Sequence, residues 1–338
     1  MEDFLISAPV PLLIGFSGTS ITQPLKRHLL AMNPAGIVLF KRNITSFQQT
    51  RLLISEIKDL LGNIIISVDH EGGVVSRFPD ECPNPPSPKS LRQAGSFEIV
   101  REACKIQAET LNYLGINLNF VPVLDLMVNP DNQVIGTRSF SADAEEVAIY
   151  GKICVEEHQK FNIGTTAKHF PGHGRTSTDS HFALGEVDYS DEDSLNQDLI
   201  PYKAVIKTGV SAVMTAHLMY PALDDTYPAS LSKKIVMGIL RNQLKFEGLI
   251  INDCVEMSGI SDHFSPRQII QNGVQAGVDL FISSFSLKKS LEYQLELKRE
   301  FNDLITRSEG NMSNFKGIYS RLGSFTERYS VGERIKKI

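Results

Sequence analysis

Residues 168–181 read Lys-His-Phe-Pro-Gly-His-Gly-Arg-Thr-Ser-Thr-Asp-Ser-His, which gathers an ammonium, three imidazoles and a carboxylate into one short stretch. Pro171, Gly172 and Gly174 favour a loop, and hydroxyl residues follow them. Asp179 and His181 stand as an Asp-x-His pair. An imidazole with a carboxylate close by is suited to moving protons near neutral pH, so this loop can present an acid/base group. His169 and His173 also have the HxxxH spacing of a zinc site. That spacing needs a helix to bring the two rings together, and Pro171 and Gly172 disfavour one. No metal is therefore expected, and His173 reads as a residue that shapes the loop.

Other ionisable residues recur at one kind of place, the end of an apolar run. Asp69 opens Asp-His-Glu-Gly-Gly, Asp125 follows Val-Pro-Val-Leu, and Lys168-His169, His217 and Asp253 each close a run of their own. Strand ends are often polar, but buried charge is costly unless it is used or paired, so together these residues point to a charged pocket. Carboxylates around one cavity accept hydrogen bonds from hydroxyls, and one of them can attack an anomeric carbon. These residues leave glycosidase, aldolase and amidohydrolase chemistry open. Asp125 and His217 fit either lining or bracing roles. Neighbours in a strand face opposite ways, so Cys254 is expected to point away from the Asp253 side. Gly72-Gly73 would let backbone come close to a ligand.

The runs that carry these residues number eight: Pro11–Phe16, Gly36–Phe40, Ile64–Val68, Leu118–Val123, Thr165–His169, Ala212–His217, Leu249–Asp253 and Val278–Ser283. Short continuous apolar runs suit strands buried on both faces. Amphipathic stretches lie between them, such as 47–61 with Leu52, Leu53, Ile57, Leu60 and Leu61 at helical spacing. Ser46-Phe-Gln-Gln49 and Asp143-Ala-Glu-Glu146 read as capping boxes. Gly62, Gly115, Gly164, Gly209, Gly248 and Gly277 stand between helix and strand, where a left-handed turn can end a helix. Eight such units predict a (β/α)8 barrel over about 10–285 rather than an open doubly wound sheet. Two helices are expected over about 286–338, with residues 1–338 as one domain.

The formal net charge is −5 with no basic stripe, which argues against nucleic acid as a partner. The four cysteines form no CxxC pair. The chain begins Met1-Glu2-Asp3, acidic where a leader peptide needs Lys or Arg, and the apolar stretch 10–16 is too short to span a membrane. A reducing, cytoplasmic location without membrane contact is the expectation.

With these residues in view, the chain resembles the bacterial β-N-acetylglucosaminidases of glycoside hydrolase family 3, the peptidoglycan-recycling branch. The Lys-His-Phe-Pro-Gly-His-Gly run followed by Asp-Ser-His carries the likeness. So do Val68-Asp69-His70-Glu71-Gly72-Gly73 with Arg77-Phe78, Asn119-Phe-Val-Pro-Val-Leu-Asp125, Gly136-Thr-Arg138-Ser-Phe140 and Val213-Met-Thr-Ala-His217. The resemblance implies that Asp253 is the nucleophile, His181 the acid/base and Asp179 the group that orients His181. It implies that Asp69, Arg77, Arg138, Lys168 and His169 hold the N-acetylglucosamine unit. It implies exo-acting release of that sugar from small muropeptide-type glycosides by a monomer that needs no cofactor. A phosphorylase with phosphate as acceptor, or a muropeptide-binding protein with weakened catalysis, are the alternatives. The family pattern Ser-Asp-Asp-Leu-Ser-Met here reads Asn252-Asp253-Cys254-Val255-Glu256-Met257, so the second Asp is absent. His70, Val74 and Gly185 stand where the family commonly has Gln, Arg and Pro.

Overall fold

Runs of Val, Ile and Leu without charge cannot leave either face in water, so they pair with one another and are covered by helices. A computed structural model describes residues 8–80, 82–176, 184–189, 192–285, 291–307 and 313–330. Its barrel strands are β1 (Val10–Ile14), β2 (Pro34–Leu39), β3 (Ile65–Val68), β4 (Leu118–Asn119), β5 (Gly164–Phe170), β6 (Ala212–Thr215), β7 (Leu249–Cys254) and β8 (Leu280–Ser283). All are parallel neighbours in chain order, and β1 pairs with β8 through Leu12 and Phe281 to close the barrel. Every residue of β1 to β6 and of β8 is buried. The eight runs read from the sequence are these eight strands.

A helix follows each strand: Gln23–Met32, Phe47–Leu61, Phe97–Leu114, Ala144–Lys160, Glu192–Thr208, the wider π-type Lys234–Gln243, Pro266–Ala276 and Leu291–Arg307. The capping differs from the expectation. Ser46 accepts from the Gln49 amide, but the Gln49 side chain takes the Thr45 N–H rather than that of Ser46. Asp143 caps two amides by itself, while Glu146 turns to Arg92 and Ser141. Along Phe47–Leu61 the buried face is Leu53, Ile54 and Ile57, and Leu52 is exposed.

Gly115 and Gly277 end their helices in the left-handed region, with φ of 86° and 99°. Gly164 and Gly248 do not. The positive φ falls on Asn162 and Lys245 instead. Space explains these two glycines: a Cβ on Gly164 would lie 2.7 Å from the Phe325 ring, and one on Gly248 2.5 Å from the Ser211 carbonyl oxygen.

Phe325 belongs to the last described helix, Ser313–Arg328, which seals the N-terminal end of the barrel. Arg321 of that helix meets buried Asp279 just before β8, and the Tyr329 hydroxyl is 2.6 Å from that of Ser211 before β6. The opposite, C-terminal end is left for the loops that carry ionisable groups. Among the described residues no helix is long and apolar enough to cross a membrane.

Candidate active site

At the C-terminal end of the barrel the strand termini surround a cavity of about 630 Å³. Asp69, Arg77, Arg138, Lys168, His169 and Asp253 all line it, so the structure brings together every described residue that the sequence had assigned to the site. His181 and Asp179 lie outside the described residues.

Asp69 and Glu71 leave β3 in a loop pinned by Asn119, whose side chain accepts from the His70 amide and donates to the His70 carbonyl. Gly72, at a φ of 102°, turns the chain back, and Glu71 N–H meets the Val75 carbonyl at 2.9 Å. That turn aims Arg77 at Asp69, with 3.3 Å between NH2 and Oδ2. Gly72 and Gly73 do not approach the cavity as expected. They pack under the proline-rich loop, where a Cβ on Gly72 would lie 2.4 Å from the Pro86 carbonyl oxygen.

Lys168 enters from β5. The β5–β6 pairing shifts between Ala167 and Phe170, over the cis Lys168–His169 bond, and there both side chains face the cavity. The Lys168 ammonium is buried and lies 2.6 Å from Asp69 Oδ1 and 2.6 Å from Glu71 Oε1. Arg138 grips Glu71 with two parallel bonds, Nε to Oε2 and NH2 to Oε1, both 2.8 Å. Three cations and two carboxylates thus form one network, the geometry in which buried charges are kept. Burial alone would raise the Glu71 carboxyl, but Arg138 and then Lys168 outweigh it and hold it at about 2. Burial is likewise outweighed at Asp69, where Lys168 and Arg77 hold the carboxyl well below its usual range.

Behind this layer lies Asp125, which is buried and accepts three donors. The His169 Nδ1–H is at 2.7 Å, the His173 amide at 2.7 Å and the His169 amide at 3.2 Å. Burial pushes this carboxyl up, but His169 and His173 bring it down to about 2. With its proton on Nδ1, His169 turns the lone pair of Nε2 to Arg138 NH2, 3.4 Å away, which can only donate. Asp125 therefore braces the site and orients His169. His173 shapes its loop, where its carbonyl accepts from Asn132, and it also lines the cavity. Burial, then the neighbouring His169, lower its imidazole to about 4, so it is neutral at pH 7.

Asp253 is the next-to-last residue of β7, and its Oδ1 accepts the Cys254 N–H at 2.7 Å. His217 is buried behind it, with Nε2 3.0 Å from the Asp253 carbonyl and Nδ1 2.7 Å from the Ser230 hydroxyl. It holds the backbone that carries Asp253 and does not line the cavity. Cys254 corrects the alternation argument. It lines the cavity beside Asp253, with Sγ 3.1 Å from Ser284 Oγ, because β7 ends there and the chain turns. Burial, then Glu256, push its thiol up to about 12.

Glu71 and Arg42 line the cavity and were not assigned from the sequence. Glu71 sat in plain view two residues past Asp69. Arg42, after β2, sets its guanidinium 4.5 Å from the Phe40 ring. Among the described residues no group of three or more His, Cys, Asp or Glu is arranged to hold a metal ion. The cavity can bind a polyhydroxylated ring through ionised groups and offers it a carboxylate at one side.

The chain matches the glycosyl hydrolase family 3 N-terminal domain over residues 13–314. It is 34% identical over 276 residues to a beta-hexosaminidase of Idiomarina loihiensis, covering 80% of this chain and 82% of that one. It is 32% identical over 294 residues to beta-hexosaminidase A of Pseudoalteromonas piscicida, of which it spans 49%. Among solved structures it superposes on a family 3 beta-N-acetylglucosaminidase from Paenibacillus sp. with a TM-score of 0.90 at 33% identity, covering 95% of this chain and 61% of that chain. It also superposes on NagZ from Neisseria gonorrhoeae in complex with N-trifluoroacetyl-D-glucosamine, with a TM-score of 0.74 at 28% identity and 96% and 99% coverage. The chain thus spans half to three-fifths of some relatives and nearly all of others.

Proposed function

This chain belongs to glycoside hydrolase family 3, and from that footing we propose that it is a retaining, exo-acting β-N-acetylglucosaminidase acting on muropeptide-type glycosides. Asp253 is the nucleophile, His181 the acid/base and Asp179 its orienting partner. Asp69, Arg77, Arg138, Lys168 and His169 hold the terminal sugar. Hydrogen bonds between ionised groups and hydroxyls are about twice as strong as neutral ones, so this network can fix the ring against Asp253.

The Asp253 carboxylate attacks the anomeric carbon while the bond to the leaving oxygen breaks. His181 gives that oxygen its proton. Water then attacks the same carbon, His181 takes a proton from that water, and the Asp253 carboxylate departs. Two inversions at one carbon retain the β configuration. Side chains alone supply each of these steps. We further propose that residues 1–338 act as one catalytic domain, a monomer that processes cell-wall fragments in the cytoplasm.

One observation supports this reading most. Asp253 faces the same cavity as the Asp69–Lys168–Glu71–Arg138 network and His169. The test is aryl β-N-acetylglucosaminide turnover by wild type, Asp253→Ala and His181→Ala, with phosphate present and absent. The expected result is turnover independent of phosphate, no activity in Asp253→Ala, and a loss in His181→Ala that deepens with poorer leaving groups. Full activity in Asp253→Ala would overturn the reading, and a glycosyl phosphate product would make the enzyme a phosphorylase.

A further inference from the structure

Glu256 is a buried carboxylate that lines the same cavity and takes no part in the steps above. It stands just past β7, and its side chain crosses to the end of β8. Oε1 accepts from Ser283 Oγ at 2.5 Å and from the Phe285 amide at 2.9 Å, and Oε2 lies 3.5 Å from Ser284 Oγ. Phe285 is a non-glycine residue with a φ of 57°, so the Glu256 bond secures a turn that the chain does not favour on its own. Ser284 is gripped on two further sides. Its hydroxyl takes the Cys254 thiol at 3.1 Å, and its carbonyl accepts an N–H from Arg42. The Cys254 amide in turn donates to Asp253 Oδ1 at 2.7 Å. Contacts therefore run from Glu256 through Ser284 and Cys254 to the carboxylate of Asp253.

Buried carboxylates are costly unless hydrogen-bonded, and the donors here come from the last residue of β8, the strand paired with β7 at Cys254 and Ile282, and from the turn just past it. Resting on the assignment of Asp253 as nucleophile, we propose that Glu256 is a positioning residue for glycosyl transfer. Through Ser284 and Cys254 it sets the direction in which Asp253 meets the anomeric carbon. The role depends on its acceptor oxygens. A glutamine can keep an oxygen towards Ser283 and Phe285 and offer its NH2 to Ser284 Oγ, which has lone pairs to accept it. An alanine can do neither.

The experiment compares wild type, Glu256→Gln, Glu256→Ala and Ser284→Ala on 4-nitrophenyl β-N-acetylglucosaminide, with melting curves for each. Misplacing a reacting group by about an ångström costs on the order of 10²-fold, so kcat of Glu256→Ala falls by about that factor while KM moves less than about threefold. Glu256→Gln recovers kcat to within about fivefold of wild type, the rescue expected when only an acceptor is needed. Ser284→Ala breaks the relay without touching the Ser283 bond, and it shows the same loss confined to kcat; it carries the test if Glu256→Ala does not fold. Wild-type kcat in the alanine variants, a glutamine variant no better than alanine, or a loss confined to KM would each overturn the positioning role. An inactive wild type would overturn the reading of Asp253 and this inference with it, whereas an active wild type with unaffected variants overturns this inference alone.

Discussion

Replacing Asp125 by Asn changes one atom in a residue that does not line the cavity, yet the contacts predict a large loss of activity. Asp125 Oδ1 takes the two backbone donors and Oδ2 takes the His169 Nδ1–H at 2.7 Å. Asn has one acceptor oxygen. If that oxygen keeps the backbone donors, its NH2 faces His169 Nδ1, and the ring must move its proton to Nε2. The new N–H then points at Arg138 NH2, 3.4 Å away, donor against donor. A hydrogen bond to a charged group is worth about 1.5–3 kcal/mol, and losing one at His169, proposed to hold the sugar, lowers kcat/KM by about 10- to 150-fold. The assay is kcat/KM on an aryl β-N-acetylglucosaminide beside a pH series of urea unfolding. The carboxyl is held down to about 2 from an ordinary 3.8, so it contributes stability above pH 4 that is lost as pH falls towards 2. That contribution is about 2 kcal/mol, and the Asn variant should lack this part of the acid dependence. A variant within twofold of wild type in kcat/KM, with the same acid dependence, would refute the reasoning.

Three further outcomes follow from the contacts. The Cys254 thiol is pushed up to about 12, so iodoacetamide at pH 7.5 leaves it unmodified in the folded enzyme; rapid alkylation found by peptide mass spectrometry would contradict this. Arg321→Ala removes one of the two arginines on buried Asp279 at the sealed end, costing about 1–3 kcal/mol in urea unfolding with kcat/KM unchanged. A Cβ on Gly174 would lie 1.7 Å from the Leu126 carbonyl oxygen, backbone that cannot give way, so Gly174→Ala loses about 3 kcal/mol or more, and an unmoved urea midpoint would count against that packing.

The barrel was legible because a strand buried on both faces needs an unbroken apolar run, and each run here ends where polar residues begin. The candidate site was legible for the same reason: Asp69, Lys168, His169 and Asp253, which line one cavity, interrupt that pattern at one end of their strands. What the sequence hid is tertiary. Glu71 meets Arg138 across 67 positions of chain, and nothing local marks that pairing. Alternation misplaced Cys254 because it holds along a strand and fails where the strand ends. Gly164 and Gly248 looked like helix stops, but their need for space comes from Phe325 and Ser211, distant in sequence. Asp125 and His217 each fitted two roles until their partners were known. The structure makes both of them braces, the first for His169 and the second for the backbone of Asp253.

The central claim is that Asp253 carries the sugar as an ester. It is tested most directly by quenching the enzyme in acid during turnover of an activated aryl β-N-acetylglucosaminide and mapping the adduct by peptide mass spectrometry. The account predicts an N-acetylglucosaminyl adduct on the peptide containing Asp253, absent in Asp253→Ala, and a first-formed product of β configuration. An adduct on Glu256 or Cys254, or a first-formed α product, would contradict it.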